Sequence, residues 1–255
     1  MNQLKTELVS QRQIAESIYE AIVYNESIDE SFKPGQFVHV KAGGGSDPLL
    51  RRPISICHVE PKKHLLTMIY RAEGKGTNLL KSEVPGAVID ILGPLGNGFP
   101  VDELREGQTA VLVGGGIGVP PLYYLSESLQ ERGVHVHHVN GFQSKESVFY
   151  EEEFKEFGPV TITTVDGSYG ESGFVTNQLD FSFDYLFACG PSPMLRALES
   201  YRSKGKVYLS LEQRMGCGIG ACLACVCHVQ GDTTALKYRK VCSDGPVFEA
   251  GEVVL

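Results

Sequence analysis

Four of the seven cysteines in this 255-residue chain fall within one short stretch, "GCGIGACLACVC", residues 216–227. Cys217, Cys222 and Cys225 stand at the spacing C-x4-C-x2-C, and a further thiol, Cys242, follows at a distance. This is the plant-type pattern for a [2Fe–2S] cluster, in which four thiolates hold two irons. Gly216, Gly218 and Gly220 let a loop wind tightly around such a cluster. Main-chain N–H groups can then point at sulfur, which is one lever on reduction potential. Zinc would also take four cysteines, but usually as two separated short pairs. Three ligands crowded into one Gly-rich loop, with the fourth alone, favour the cluster. Cys227 lies two residues past Cys225, on the same face of a strand expected at "VCHV", and reads as a packing cysteine.

Two further stretches suit phosphate. In "RRPISI", residues 51–56, an Arg before a Pro can grip a phosphate while the chain stays extended, and Ser55 offers a hydroxyl on the face of Pro53. The "GKGT" of residues 74–77 stands where a helix could begin, with free N–H groups for a pyrophosphate. Taken singly, the arginines read as surface charges and "GKGT" as a plain turn; their pairing raises the functional reading. The second stretch, "VGGGIGVPP" (113–121), closes a strand and opens a helix, the context of a dinucleotide site, although it departs from G-x-G-x-x-G.

The surrounding pattern shows what must position these groups. Up to about residue 100, short alternating runs such as "SIYEAIVY", "GQFVHVKA" and "HLLTMIYR" are broken by Gly and Pro, which predicts an antiparallel β-barrel. From 101 to 211, strands alternate with helices: "TAVLVGG", then "VPPLYYLSESLQERG", "VHVHHVNGF", "DYLFACG", "PSPMLRALESYRSKG" and "KVYLSL". That rhythm predicts a doubly wound parallel α/β sheet. Residues 212–255 read as a small, mostly irregular appended module. Three units follow: 1–100, 101–211 and 212–255. His135 and His137 share a strand face, but no further ligand is placed beside them, and "EEEF" (151–154) reads as a solvated helix start.

A formal charge of −8 and a pI near 5.4 argue against nucleic acid or an anionic membrane as partner. The polar first residues lack a signal-peptide core, and no apolar run approaches a membrane span. A cytoplasmic protein is expected, where clustered thiols mean metal or redox chemistry rather than disulfides.

Arg52-Pro53-Ile54-Ser55, Gly74-Lys75-Gly76-Thr77, "GPLGNGF" (93–99), "GGGIG" (114–118), "CGPSPM" (189–194) and "EQRMGCGIGACLAC" (212–225) together resemble one family. It is the ferredoxin reductase-like electron-transfer subunits of type B dihydroorotate dehydrogenases, and the resemblance covers essentially the whole chain. It implies FAD in the barrel, NAD on the α/β domain and a [2Fe–2S] cluster in the tail. It also implies a separate FMN-containing catalytic subunit that oxidises dihydroorotate for pyrimidine synthesis, in a heterotetramer of two of each. Carried over residue by residue, Arg52 meets the FAD phosphates, with Pro53 and Ile54 beside it, and Ser55 lies near flavin N5. Ile69, Tyr70 and Arg71 flank the flavin, with Gly76 and Thr77 at its pyrophosphate. Gly114, Gly115, Gly116 and Gly118 face the NAD pyrophosphate, and Cys189, Gly190 and Pro191 the nicotinamide. Cys217, Cys222, Cys225 and Cys242 hold the cluster. Family flavin motifs often carry an aromatic at the place of Ile54, so stacking is expected from Tyr70. Glu212 and Arg214 are expected in an ordinary ion pair or solvated face. No side chain is required as acid, base or nucleophile, and the implied route runs from the partner FMN through cluster and FAD to NAD. "GFQSKES" offers Ser144 and Lys145 but no Arg for a 2′-phosphate, which favours NAD over NADP. The rival readings are a subunit of another NAD(P)H:ferredoxin or sulfur-reducing complex, and a zinc-stabilised binding module.

Overall fold

The computed structural model describes residues 2–43, 45, 47–234 and 236–255. Six antiparallel strands close the first barrel: β1 (Asn2–Ala15), β2 (Ile18–Tyr24), β3 (Phe37–Lys41), β4 (Arg52–Glu60), β5 (Leu65–Arg71) and β6 (Val88–Leu95). Their order is β1-β2-β5-β4-β3-β6. The early residues of β1 alternate, with Leu4, Thr6 and Leu8 buried between exposed neighbours, as a half-buried strand requires. The barrel interior holds Leu8, Val38, Val40, Ile56, Leu66 and Met68. A single short helix, α1 (Lys75–Lys81), follows β5.

The second layer is a seven-stranded sheet in the order β10-β9-β8-β7-β11-β12-β15. It comprises β7 (Thr109–Gly115), β8 (His135–Phe142), β9 (Val160–Thr164), β10 (Glu171–Ser172), β11 (Tyr185–Cys189), β12 (Lys206–Ser210) and β15 (Val247–Glu249). The first six run parallel, and β15 is antiparallel on the edge of β12. The helices are α2 (Pro121–Gln130), α3 (Glu151–Lys155) and α4 (Ser192–Glu199). β7 and β11 are buried at nearly every position because both faces of the central sheet are covered. Prolines 120 and 121 open α2, where the missing N–H removes no helical bond. The helix stops at Gln130 with Glu131 as cap, and Gly133 serves the turn beyond at φ +73°.

Two clusters weld the layers. On the α2 side, barrel residues Ile18, Cys57 and Ile69 pack with Leu112, Leu122 and Leu125. His58 of β4 pairs with Glu127 of α2 at 2.9 Å, and Tyr124 donates to Phe32 O. On the α4 side, Phe37 and Leu95 of the barrel join Val113, Leu186 and Leu195 with Cys225, Cys227 and Cys242. The tail adds a small hairpin, β13 (Val226–His228) with β14 (Tyr238–Lys240). Its residues 212–255 are therefore less independent than their composition suggests, since β15 extends the parallel-sheet layer itself.

Candidate functional site

Arg51 and Arg52 are adjacent in sequence but have different surroundings. Arg51 turns into the barrel wall, donating to Asp90 Oδ1 at 2.9 Å, to Asp90 O at 3.0 Å and to His39 O at 3.2 Å. Lys5 and Gln3 hold the same carboxylate, which stays below its ordinary range because these donors outweigh burial. Arg52 makes no ion pair among the described residues; its guanidinium bonds only nearby main-chain carbonyls. It packs against the start of α1, where a Cβ on Gly76 would stand 2.5 Å from Arg52 Nε. Thr77 Oγ1 accepts the Gly74 N–H at 3.1 Å and fixes the same turn. The fold thus brings a guanidinium with no carboxylate partner among the described residues together with a helix-opening Gly-Thr turn, an arrangement suited to a pyrophosphate.

Beside this cradle, Ser55 is half-buried while Ile54, Ile69 and Tyr70 are buried. Tyr70 stacks on Tyr19 with centroids 6.0 Å apart and donates to Gln11 Oε1 at 2.7 Å; burial pushes its phenol up. Tyr19, the half-buried partner in that stack, carried no motif to announce it. Arg71 is exposed and reaches towards the glycine loop of the sheet domain, since a Cβ on Gly116 would stand 3.3 Å from its Nη2.

That loop follows β7 and packs on the turn after β11. A Cβ at Gly118 would overlap the Cys189 carbonyl oxygen, and one at Gly115 would stand 2.8 Å from Met194 Sδ and 2.9 Å from Pro191 Cδ. The glycines let two βα turns approach at the point where strand order reverses from β8 to β11, where α/β sheets bind nucleotides. Cys189 stands level with Gly114 at the end of β11 and is buried; burial, then the nearby Glu212 carboxylate, pushes its thiol up. Gly190, Pro191 and Glu212 line a cavity of about 210 Å³ together with Ser192 and Leu211. Glu212 and Arg214 are both exposed, and among the described residues neither forms an ion pair; desolvation by the cavity wall raises the Glu212 carboxyl and Arg71 opposes the shift. Lys145 lies over the Tyr169 ring at 5.8 Å.

The cysteines draw together in the tail. The sulfurs of Cys217 and Cys222 lie within reach of one another, and so do those of Cys225 and Cys242. Cys217 Sγ accepts N–H bonds from Cys222 at 3.3 Å and Ile219 at 3.5 Å, and Cys242 Sγ accepts one from Gly220 at 3.1 Å. Burial raises the Cys217 thiol, but these main-chain donors overcome it and bring it down to about 6. Among the described residues no three His, Cys, Asp or Glu side chains gather about one ion position. Two pairs of thiols with N–H donors aimed at sulfur fit a two-iron cluster better than a single zinc. Cys227 instead faces the β14 strand, its sulfur 3.6 Å from Arg239 O. Asn97, from the "GPLGNGF" loop, donates to Ser243 O and Asp244 O and so ties the segment after Cys242 to the barrel.

The flavin-type barrel, the parallel sheet with its glycine loop and the Cys-rich tail define a ferredoxin reductase-like electron-transfer protein with an iron–sulfur module. Residues 212–254 match the family model described as the iron–sulfur cluster binding domain of dihydroorotate dehydrogenase B. The chain is 57% identical, over 97% of its own length and 97% of theirs, to proteins of Bacillus mycoides (strain KBAB4) and Bacillus cereus (strain G9842). Both are named dihydroorotate dehydrogenase B (NAD(+)), electron transfer subunit. The chain belongs to this family of electron transfer subunits. Among solved structures, an NADH-dependent reduced ferredoxin-NADP oxidoreductase superposes with a TM-score of 0.85 at 30% identity, covering 99% of this chain and 91% of that one. A ferredoxin NADP+ reductase from Neisseria gonorrhoeae with bound FAD and NADP shares the fold, with a TM-score of 0.67 at 15% identity over 81% of this chain and 93% of that one.

Proposed function

We propose that this chain is the NAD-linked electron-transfer subunit of a dihydroorotate dehydrogenase and works through a separate FMN-containing catalytic subunit, two of each in the complex, in the cytoplasm. Flavin supplies the exchange between one-electron and two-electron carriers, which neither an iron–sulfur centre nor a nicotinamide can supply alone. The carrying observation is that one chain gathers three separate kinds of binding group. These are Arg52 against Gly76, the tight packing of Gly118 on Cys189, and the two thiol pairs.

Residues 1–100 bind FAD: Arg52, Gly76 and Thr77 hold its phosphates, and Pro53, Ile54, Ser55, Ile69, Tyr70 and Arg71 line its ring and linker. Residues 101–211 bind NAD: Gly114, Gly115, Gly116 and Gly118 admit the pyrophosphate, and Cys189, Gly190 and Pro191 border the nicotinamide. Residues 212–255 hold the cluster through Cys217, Cys222, Cys225 and Cys242. The buried Cys189 keeps its proton and orders the pocket rather than attacking a substrate. The family name supports NAD, as does the absence of an arginine beside Lys145 in "GFQSKES". The test is co-purification with the dihydroorotate dehydrogenase catalytic chain, cofactor analysis, and a dihydroorotate-to-NAD assay. The reading expects FAD and two irons per chain, with dihydroorotate oxidation only in the mixture. NAD-independent turnover by the complex, or dihydroorotate oxidation by this chain alone, overturns it.

A further inference from the structure

The cluster loop and the proposed flavin strand meet at a residue to which no motif gives a role. His39, in β3, is wholly buried, and among the described residues neither of its ring nitrogens makes a well-formed hydrogen bond. A neutral imidazole carries one donor and one acceptor. Burying both without partners is costly, and such orphans call for an explanation.

The neighbours of His39 supply one. Across the strand pair it stands opposite Pro53, and Phe37 stands opposite Ser55, so this face of β3 borders the Pro53–Ser55 strand. On its other side the ring meets the cysteine loop. Gly218 takes φ +73°, and a Cβ there would stand 2.5 Å from His39 Nδ1 and 3.0 Å from Cε1. The Cys217 carbonyl lies on the same side, close enough to offer a further acceptor to a ring N–H. The His39 carbonyl is pinned by Arg51, whose guanidinium also grips Asp90 of β6. A histidine needed only to fill space here has an apolar alternative of its own kind two residues away, in Phe37. One imidazole therefore separates the cysteine loop from the proposed flavin strand, and it is held firmly enough to keep a fixed distance.

We propose that His39 is a positioning residue for the iron–sulfur centre, its buried ring N–H being donated to sulfur on the Cys217 side, so that the flavin barrel itself sets the cluster's reduction potential. The inference rests on the reading of the four thiols as cluster ligands. A hydrogen bond to sulfur stabilises the extra negative charge gained on reduction, so it raises the potential, and its loss lowers it.

The test compares the purified, iron- and flavin-containing protein with His39→Leu and His39→Gln, using iron and flavin content, the EPR spectrum of the reduced cluster and a redox titration. His39→Leu should keep flavin, change the EPR line shape and shift the reduced-to-oxidised ratio at fixed poise by about tenfold towards oxidised, about 59 mV for one electron. His39→Gln, which keeps an N–H donor, should restore most of that shift. If His39→Leu loses its iron, the glutamine protein decides: a cluster at wild-type potential supports the donor, and loss of iron there too overturns it. A leucine protein matching wild type in potential and EPR overturns this inference alone. Wild-type protein with flavin but no [2Fe–2S] spectrum overturns the cluster reading, and this inference with it.

Discussion

At the scale of single residues, Asp90 is what separates Arg51 from Arg52. It is distant in sequence, and it takes Arg51 into a network with Gln3 and Lys5. Arg52 is left over Gly76 with only main-chain carbonyls for company. Charge-assisted bonds from a guanidinium to phosphate contribute about 1.5–3 kcal/mol. Arg52→Ala should therefore weaken FAD retention by roughly ten- to hundredfold, measured by flavin content after gel filtration. Arg51→Ala should instead lower thermal stability and leave the flavin bound. Flavin loss confined to the Arg51 variant would reverse the assignment. In "RRPISI" the place before Pro53 and the family resemblance single out Arg52 for phosphate, but they do not say what occupies Arg51, because Asp90 meets it only after the barrel closes. His39 escaped notice for a similar reason: one polar residue in "FVHVK" looks like a strand irregularity until the cysteine loop comes down upon it.

At the scale of elements, the two βα turns and the strands behind them carry the constraints. Gly118 rests on the Cys189 carbonyl, so Gly118→Ala must push the turns apart. Overpacking of this kind costs about 1–3 kcal/mol. The expected outcome is an NADH KM raised at least about tenfold with FAD retained, read by steady-state reduction of an artificial acceptor; an unchanged KM would show that the loop does not carry the nucleotide. β8 holds a second constraint. His138 is buried with Nε2 2.8 Å from Ser126 Oγ and Nδ1 3.2 Å from Pro159 O, and burial brings its pKa down to about 4. The unfolded ring titrates near 6.5, so the unfolded state gains the proton first as pH falls. This contribution to stability is complete above about pH 6.5, is lost progressively down to about pH 4, and amounts to about 3 kcal/mol. Denaturant midpoints of His138→Gln should fall less than those of wild type between pH 7 and pH 4.5; parallel curves would discount the residue. The strands and α2 were legible from alternation, helical stripes and proline placement. The three-residue β15 was not, because nothing in "VFE" says that its partner is β12.

For the whole molecule, the sequence already implied an antiparallel barrel, a parallel sheet and an iron–sulfur tail, since each has its own period or spacing. How the three lock together was hidden, because the locks are long-range: Asn97 to the chain after Cys242, β15 on the sheet edge, and Glu127 to His58. The architecture divides the proposed function. Exchange between NADH and flavin needs only the barrel and the sheet, whereas passage to a partner needs the tail. A Cys222→Ser protein that keeps its fold and FAD should reduce a small acceptor with NADH at near wild-type rate. Mixed with the catalytic subunit, it should fail to couple dihydroorotate to NAD. Full coupling in protein shown to lack iron would refute the division.

The docking of β15 onto β12 has a consequence for timing. Many electron carriers must wait for a tethered domain to swing into reach, and their throughput then follows solvent friction. Here the cysteine-bearing tail is stitched into the sheet by β15 and pinned to the barrel a few residues earlier by Asn97, and Cys225 and Cys242 pack in one cluster with Phe37 and Leu95 of the barrel. Electron passage within the chain should therefore have the character of a wired junction rather than a shuttle. In rapid-mixing experiments, added sucrose should slow the arrival of NADH and of the partner subunit, while the step between iron and flavin keeps the same rate constant. A step that slows in proportion to viscosity would mean that the tail comes loose on every cycle.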